Sequence, residues 1–158
     1  MVEQPDLIQP DNVLPEKMQP QKRAQKKILV VDDTPEALKN AQDILTKAKY
    51  EVLTLDNPKF IFKVIKNEWP DLIILDIIMR PVDGYAVCAE IKKAYGDKFP
   101  ILLCTAQSYE QDFIQRAHKE FGADDYTLKP LDPEVFLTKV KALLKKKPKE
   151  KGAAEDAA

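Results

Sequence analysis

The stretch "LIILDIIMRP", residues 72–81, decides the fold class of this chain. It is almost entirely apolar, and one carboxylate, Asp76, stands in its middle. A short apolar run without alternation is typical of a strand that is covered on both faces, as in a parallel sheet. A charge buried in such a strand is unfavourable unless it is paired or takes part in chemistry. We therefore expect Asp76 at the mouth of a buried strand, where it can meet other charged groups.

Further stretches share this short apolar character. They are "ILVV" (28–31), "VLTL" (52–55), "ILLC" (101–104) and "DYTL" (125–128). All but the last are near-continuous apolar runs, as expected for strands inside a parallel sheet.

Amphipathic stretches with helix-start signals lie between these runs. Three of them begin with a capping side chain followed by proline, as is typical of a first helical turn: Thr34-Pro35, Asn57-Pro58 and Asp132-Pro133. A further helix is predicted from about Asp83 to about Tyr95, and Ser108 with Gln111 has the spacing of a capping box for a helix through about Phe121. Strand–helix alternation repeated in this way predicts an α/β protein, a doubly wound parallel sheet with helices on both faces. For five strands the order 2-1-3-4-5 is expected.

Length and composition bound the domain organisation. The 158 residues predict one domain, residues 26–146, between a flexible Pro/Gln-rich N-terminal tail (1–25) and a flexible C-terminal tail (147–158). A net charge of −1 argues against a general nucleic-acid binder. The sequence has neither an apolar run long enough to cross a membrane nor a secretory signal, so a cytoplasmic location is expected. Cys88 and Cys104 lie in apolar stretches and are interpreted as core residues.

Polar residues that could form one site follow the four strands expected to adjoin. They are Asp32 and Asp33 after the first, Asp76 at the end of the third, Thr105 after the fourth and Lys129 after the fifth. In the expected order these four strands adjoin, and ligands of such sheets bind beyond the carboxyl ends, near the point where strand order reverses. Asp56 follows the second strand, at the sheet edge and away from this point.

Convergence of these side chains predicts a metal and phosphoryl site. Three clustered carboxylates repel one another, and a hard divalent cation such as Mg²⁺ relieves that repulsion with oxygen ligands. Lys129 adds a positive charge, and an anion with several oxygens can bridge metal, Lys129 and the Thr105 hydroxyl. Taken singly, each residue also fits a structural role, as a loop start, a turn, a strand end or a surface lysine. Their coincidence on adjoining strands favours the site.

With these residues in place, the chain resembles the receiver domain of two-component response regulators. The resemblance covers residues 27 to about 146 and rests on four stretches: "ILVVDDTPEAL", "PDLIILDIIMRPVDGYAVC", "ILLCTA" and "GADDYTLKPLDPEVFLTKV". It implies a flavodoxin-like (βα)5 three-layer sandwich.

The resemblance also implies a role for each residue of the site. Asp76 would accept the phosphoryl group, and Thr105 and Lys129 would hold its oxygens. Asp33 would bind Mg²⁺ directly, and Asp32 would bind it directly or through water. Asp76 and the backbone carbonyl of Ile78 would complete the protein ligands of the metal. Tyr126 matches the family's aromatic switch, and Asp83-Gly84 matches the turn before the third helix. A cis peptide bond is common in the family where this chain has Lys129–Pro130. The chain departs from the family at Met79-Arg80-Pro81, where the proline is displaced by one residue and a cation stands close to the site.

The function implied by the resemblance is phosphorylation-dependent signalling rather than enzymatic turnover. A sensor histidine kinase or a histidine phosphotransfer protein would supply the phosphoryl group. The surface formed by the fourth predicted helix, the fifth strand and the fifth helix would then change its binding to a downstream protein. Neither membrane contact nor direct DNA binding by this domain is expected, and a phosphorylation-dependent homodimer stays open.

Three functional alternatives follow. The chain is a stand-alone receiver similar to the chemotaxis regulators, or a receiver from a longer regulator or a hybrid histidine kinase. The third alternative is a Mg²⁺-dependent phosphatase of the haloacid dehalogenase type. That class places an Asp-x-Asp-x-Thr motif after its first strand, whereas this chain has "DDTPE" (32–36) there.

Overall fold

The structure, a computed structural model, describes residues 25–79, 83–106 and 122–145. The strands are β1 (Lys27–Val31), β2 (Glu51–Leu55), β3 (Leu72–Asp76), β4 (Ile101–Ala106) and β5 (Asp125–Lys129). The helices are α1 (Pro35–Lys47), α2 (Ile61–Glu68), α3 (Gly84–Tyr95) and a last helix, Pro133–Lys145, with short 3₁₀ turns at Pro58–Phe60 and Gly96–Lys98. The helix predicted over 108–121, the pair Arg80-Pro81 and the two predicted tails beyond residues 25 and 145 lie outside the described residues.

The five strands form one parallel sheet in the order β2-β1-β3-β4-β5, which confirms the predicted order. The register aligns Val31 with Leu75 and Asp76 with Cys104. The carboxyl ends of β1, β3 and β4 therefore lie side by side, so that residues leaving these strands meet at one edge of the sheet.

Helices cover both faces of the sheet, as predicted. One face packs α1 and the last helix against alternate strand residues such as Ile28, Val30 and Ile74. The other face packs α2 and α3 against the intervening residues such as Leu29 and Leu75. Successive side chains of a strand point to opposite faces, so a strand covered twice is apolar at every position. This accounts for the continuous apolar runs of β1 and β3, both buried throughout.

Within the described residues the predicted helix starts are confirmed, although Asn57-Pro58 begins the 3₁₀ turn ahead of α2 and one cap differs. Asn57 accepts a hydrogen bond from the Lys59 amide (2.9 Å), and Asp132 accepts one from the Glu134 amide (3.0 Å). Thr34 precedes Pro35 at the start of α1, but its side chain makes no capping hydrogen bond, so that part of the prediction is wrong. The Thr34 hydroxyl lies instead 3.5 Å from Asp33 Oδ1 as a donor, which turns it towards the acidic residues.

Both cysteines are buried, as predicted. The described part of the chain contains no helix with the length and apolar character that a membrane span requires.

Candidate functional site

Three carboxylates converge at the carboxyl edge of the sheet. Asp32 and Asp33 follow β1, and Asp76 ends β3. One oxygen of each lies within 4.8 Å of the others. Asp32 and Asp76 are only 4% and 8% exposed, whereas Asp33 is half-buried. The convergence predicted from the sequence is therefore present in the structure.

Lys129, the last residue of β5, bridges two of these carboxylates. Its Nζ donates to Asp32 Oδ2 at 2.8 Å and lies 2.8 Å from Asp76 Oδ1. The sequence predicts Lys129 at this edge, but strand order does not show which of the carboxylates its ammonium contacts. One ammonium thus links the ends of β1, β3 and β5.

Burial and neighbouring charges shift the pKa values of Asp76 and Lys129. Burial raises the pKa of the Asp76 carboxyl; Lys129 lowers it in part, and the charges of Asp32 and Asp33 raise it further. For Lys129, burial lowers the pKa of the ammonium, but its hydrogen bonds and charge attraction to Asp32 and Asp76 outweigh that effect, so the net direction is upward. Of the three carboxylates, Lys129 contacts the two that are most buried, Asp32 and Asp76.

The cluster has the chemistry of a magnesium site. Carboxylate oxygens are the ligands that hard divalent cations prefer, and Mg²⁺ needs only one or two of them beside its waters. Asp56 follows β2, is exposed and does not belong to the cluster. Ile78 lies two residues beyond Asp76, and its exposed hydrocarbon side chain has no ligand atom, so a role in metal binding would fall to its backbone carbonyl.

Thr105 and Tyr126 lie on the neighbouring strands. Thr105 is 1% exposed and follows Cys104, which pairs with Asp76 across β3 and β4. Tyr126 pairs in register with Leu103, is half-buried and packs against the core under α2 and α3. The peptide bond between Lys129 and Pro130 is cis, as the resemblance implied.

Gly84, the first residue of α3, lies directly against the backbone of Asp76. A Cβ at this position would overlap the Asp76 carbonyl oxygen and would lie 2.8 Å from Ile77 Cα. The Gly84 amide also donates to the Ile77 carbonyl at 2.7 Å, and Asp83 caps the helix through the Ala86 amide. The Asp83-Gly84 pair indicated a tight turn, but the sequence did not reveal what it packs on.

A cavity of about 240 Å³ adjoins the cluster on the side of α1. Its apolar wall includes Ala37 and Ala41 of α1, and its polar wall includes Asp32, Asp76 and Lys129. The small side chains of α1 therefore leave space beside the charged groups.

Comparisons with known proteins agree with this geometry. The sequence model of the response regulator receiver domain matches residues 28–141. The alkaline phosphatase synthesis transcriptional regulatory protein PhoP of Bacillus subtilis (strain 168) is 37% identical over 121 residues, 77% of this chain and 49% of that protein. The chain thus spans about half the length of the curated relatives it matches.

Solved structures show the same fold. The BeF3-activated N-terminal receiver domain of Klebsiella pneumoniae RstA matches with a TM-score of 0.69 and 31% identity, covering 77% of this chain and 100% of that chain. The signal receiver domain of a signal transduction histidine kinase from Syntrophus aciditrophicus matches with a TM-score of 0.67 and 32% identity, covering 75% of this chain and 89% of that chain.

Proposed function

Because the chain belongs to the family of response regulator receiver domains, we propose that it accepts a phosphoryl group on Asp76 and changes a protein-binding surface in response. The observation that carries the proposal is the double contact of Lys129 with Asp32 and Asp76, inside a cluster of three carboxylates. An ammonium within a cluster of three carboxylates suits a site that takes up a metal and a phosphoryl group together.

The phosphoryl donor in this proposal is a phosphohistidine of a sensor histidine kinase or a histidine phosphotransfer protein. A carboxylate oxygen of Asp76 attacks phosphorus, an O–P bond forms, and the N–P bond to the imidazole breaks with its electron pair leaving on nitrogen. Water later attacks the acyl phosphate and returns Asp76 as a carboxylate together with inorganic phosphate. The chain therefore acts as a phosphoacceptor with intrinsic transfer and autodephosphorylation chemistry, not as an enzyme with a separate substrate.

The chain's own groups hold the reacting atoms. Asp76 must be ionised to attack, and the contact with Lys129 favours ionisation against the effect of burial. During transfer, charge is spread over the phosphoryl oxygens, and Lys129 and the Thr105 hydroxyl are the groups we assign to hold them. Mg²⁺, held by Asp32, Asp33, Asp76 and the Ile78 carbonyl, would neutralise charge on the same oxygens.

The response to phosphorylation is assigned to Thr105 and Tyr126. Thr105 moves towards the phosphoryl oxygen, and Tyr126 follows into the space that Thr105 leaves. Because Tyr126 lies on β5 beside the last helix, this movement would alter a surface to which both elements contribute and which a downstream protein would contact. A local charge change thereby biases a two-state surface.

A second arrangement of the whole protein is supported by the lengths of its relatives. Since the chain spans about half of those relatives, we infer that it also suits the role of a receiver within a longer regulator or hybrid kinase. The site chemistry is the same in both arrangements, and intact-mass measurement of the native protein distinguishes them.

Chemical labelling tests the proposal. Purified protein with Mg²⁺ and acetyl phosphate, a small acyl phosphate donor, should gain one phosphoryl group that hydroxylamine removes. Asp76→Asn should abolish this gain, because the amide oxygen is a poor nucleophile. The matched control is Asp56→Asn, which changes a carboxylate outside the cluster and should label like the wild type. Labelling that survives Asp76→Asn unaltered would overturn the assignment.

A further inference from the structure

Lys139 of the last helix contacts the first two residues of β5. Its Nζ lies 5.6 Å from the centroid of the Tyr126 ring and 3.5 Å from Asp125 Oδ1. The same Asp125 oxygen accepts a hydrogen bond from the Tyr126 amide at 2.8 Å. Lys139, Asp125 and Tyr126 therefore form a closed set of contacts between the last helix and the edge strand.

The ammonium is suited to hold the ring. An aromatic face attracts a cation within about 6 Å of its centroid. Asp125, about one third exposed like Lys139 itself, anchors the ammonium at the start of β5. The ion pair contributes little by itself at such exposure, but it restricts where the ammonium can lie. The ring is thereby held from the helix side.

Both side chains also line an open groove of about 590 Å³ between β5 and the last helix. Pro130 and Val135 belong to the same groove, and the Val135 side chain is largely exposed. A change in the position of the Tyr126 ring therefore changes the shape and the charge pattern of this surface.

We propose that Lys139 is a positioning residue for Tyr126: it holds the ring in the position described here and so opposes the ring movement of the phosphorylation switch. The second half of this inference rests on the proposed function. Removing the ammonium should favour the switched state by about two- to fivefold, the range that a cation–π contact at an exposed site supplies.

Fluorine NMR of the full chain labelled with 3-fluorotyrosine tests the first half. The chain has five tyrosines, and Tyr126→Phe identifies the resonance of interest. Lys139→Met keeps a long side chain but removes the charge, and we expect it to shift the Tyr126 resonance. Lys139→Arg, which keeps a cation, should largely preserve it. Lys141→Met removes a charge from an exposed lysine of the same helix and should leave the resonance unchanged.

The second half is tested by titrating the same proteins with beryllofluoride, a phosphoryl mimic, in the presence of Mg²⁺. The half-saturating concentration should fall about two- to fivefold in Lys139→Met and stay unchanged in Lys141→Met. The inference would be overturned if Lys139→Met left the Tyr126 resonance unshifted, or if it left the half-saturating concentration of beryllofluoride unchanged. If the mimic binds wild-type protein without moving the Tyr126 resonance, the proposed switch fails instead; the hold of Lys139 on the ring is measured without the mimic and is judged separately.

Discussion

Carboxylates and lysines lie at both the amino edge and the carboxyl edge of the sheet, where the strands begin and end, but their contacts differ. At the amino edge, Asp71 Oδ2 accepts the Lys27 amide (2.7 Å) and Asp124 Oδ2 accepts the Ile101 amide (2.8 Å). Lys27 and Ile101 are the first residues of β1 and β4. Each carboxylate therefore satisfies the first donor of a strand. At the carboxyl edge, three carboxylates have oxygens within 4.8 Å of one another.

The lysines differ in the same way. Lys27 Nζ lies 2.9 Å from Glu68 Oε1 and also donates to the Glu68 carbonyl, so its contacts connect the start of β1 to the end of α2. Lys92 Nζ lies 3.0 Å from Asp124, next to the entrance of β5. It also lies 3.7 Å from the exposed Asp97. Lys129 likewise contacts two carboxylates, but both of these are buried, and the pKa of Asp76 remains raised by burial in spite of the contact. Charged groups at the amino edge connect strands to neighbouring helices and loops, whereas those at the carboxyl edge are gathered in one cluster.

Metal affinity should depend on the three clustered carboxylates and not on every carboxylate of the carboxyl edge. Asp33→Ala should weaken Mg²⁺ binding by about ten- to a hundredfold, the loss typical even of groups that only support a metal ligand. Asp56→Ala, at the end of β2, should change the affinity little. Isothermal titration calorimetry of the full chain measures both, and equal losses would mean that the metal site lies elsewhere.

The free energy of unfolding should depend on the carboxylates of the amino edge. Asp71→Ala leaves the Lys27 amide without this acceptor and should lower the free energy of unfolding by about 1–3 kcal/mol. Asp71→Asn keeps an acceptor oxygen and should recover most of the loss, which separates the hydrogen bond from the charge. Urea unfolding measures both variants. The contrast between the edges fails if Asp33→Ala is as destabilising as Asp71→Ala.

The smallest expected effect is a pH dependence at the carboxyl edge. Because the folded pKa of Asp76 lies above its ordinary value of 3.8, the folded chain binds more protons than the unfolded chain between these two values. Stability therefore falls as pH rises through that window, and the loss persists at neutral pH. The pKa of Asp76 is raised overall even though the contact with Lys129 lowers it.

Asp76→Asn removes that titration. The variant should be more stable than the wild type at neutral pH, and its advantage should shrink as pH falls towards 3.8. Urea midpoints measured across this range test the sign. An advantage that does not change with pH would contradict the raised pKa.

The carboxyl edge was largely predictable from the sequence, whereas the amino edge was not. Asp32, Asp76 and Lys129 each end or follow an apolar run, and strand order alone brings such positions together. Asp71 and Asp124 stand in loops, and the strand amides that they accept from lie 44 and 23 residues away. Nothing local marks which strand amide a loop carboxylate will satisfy. The contact of Gly84 with the Asp76 backbone could not be predicted from the sequence either, because it depends on how closely α3 packs against the end of β3.

The origin of Lys129 has a consequence for the timing of synthesis. Its carboxylate partners come from the first and third strands, but the lysine itself arrives only with the fifth. A chain emerging from the ribosome therefore carries Asp76 well before the lysine that contacts it. In the proposed function, competence to receive phosphate appears only once the last strand has docked, so newly made, partly folded copies stay silent in signalling.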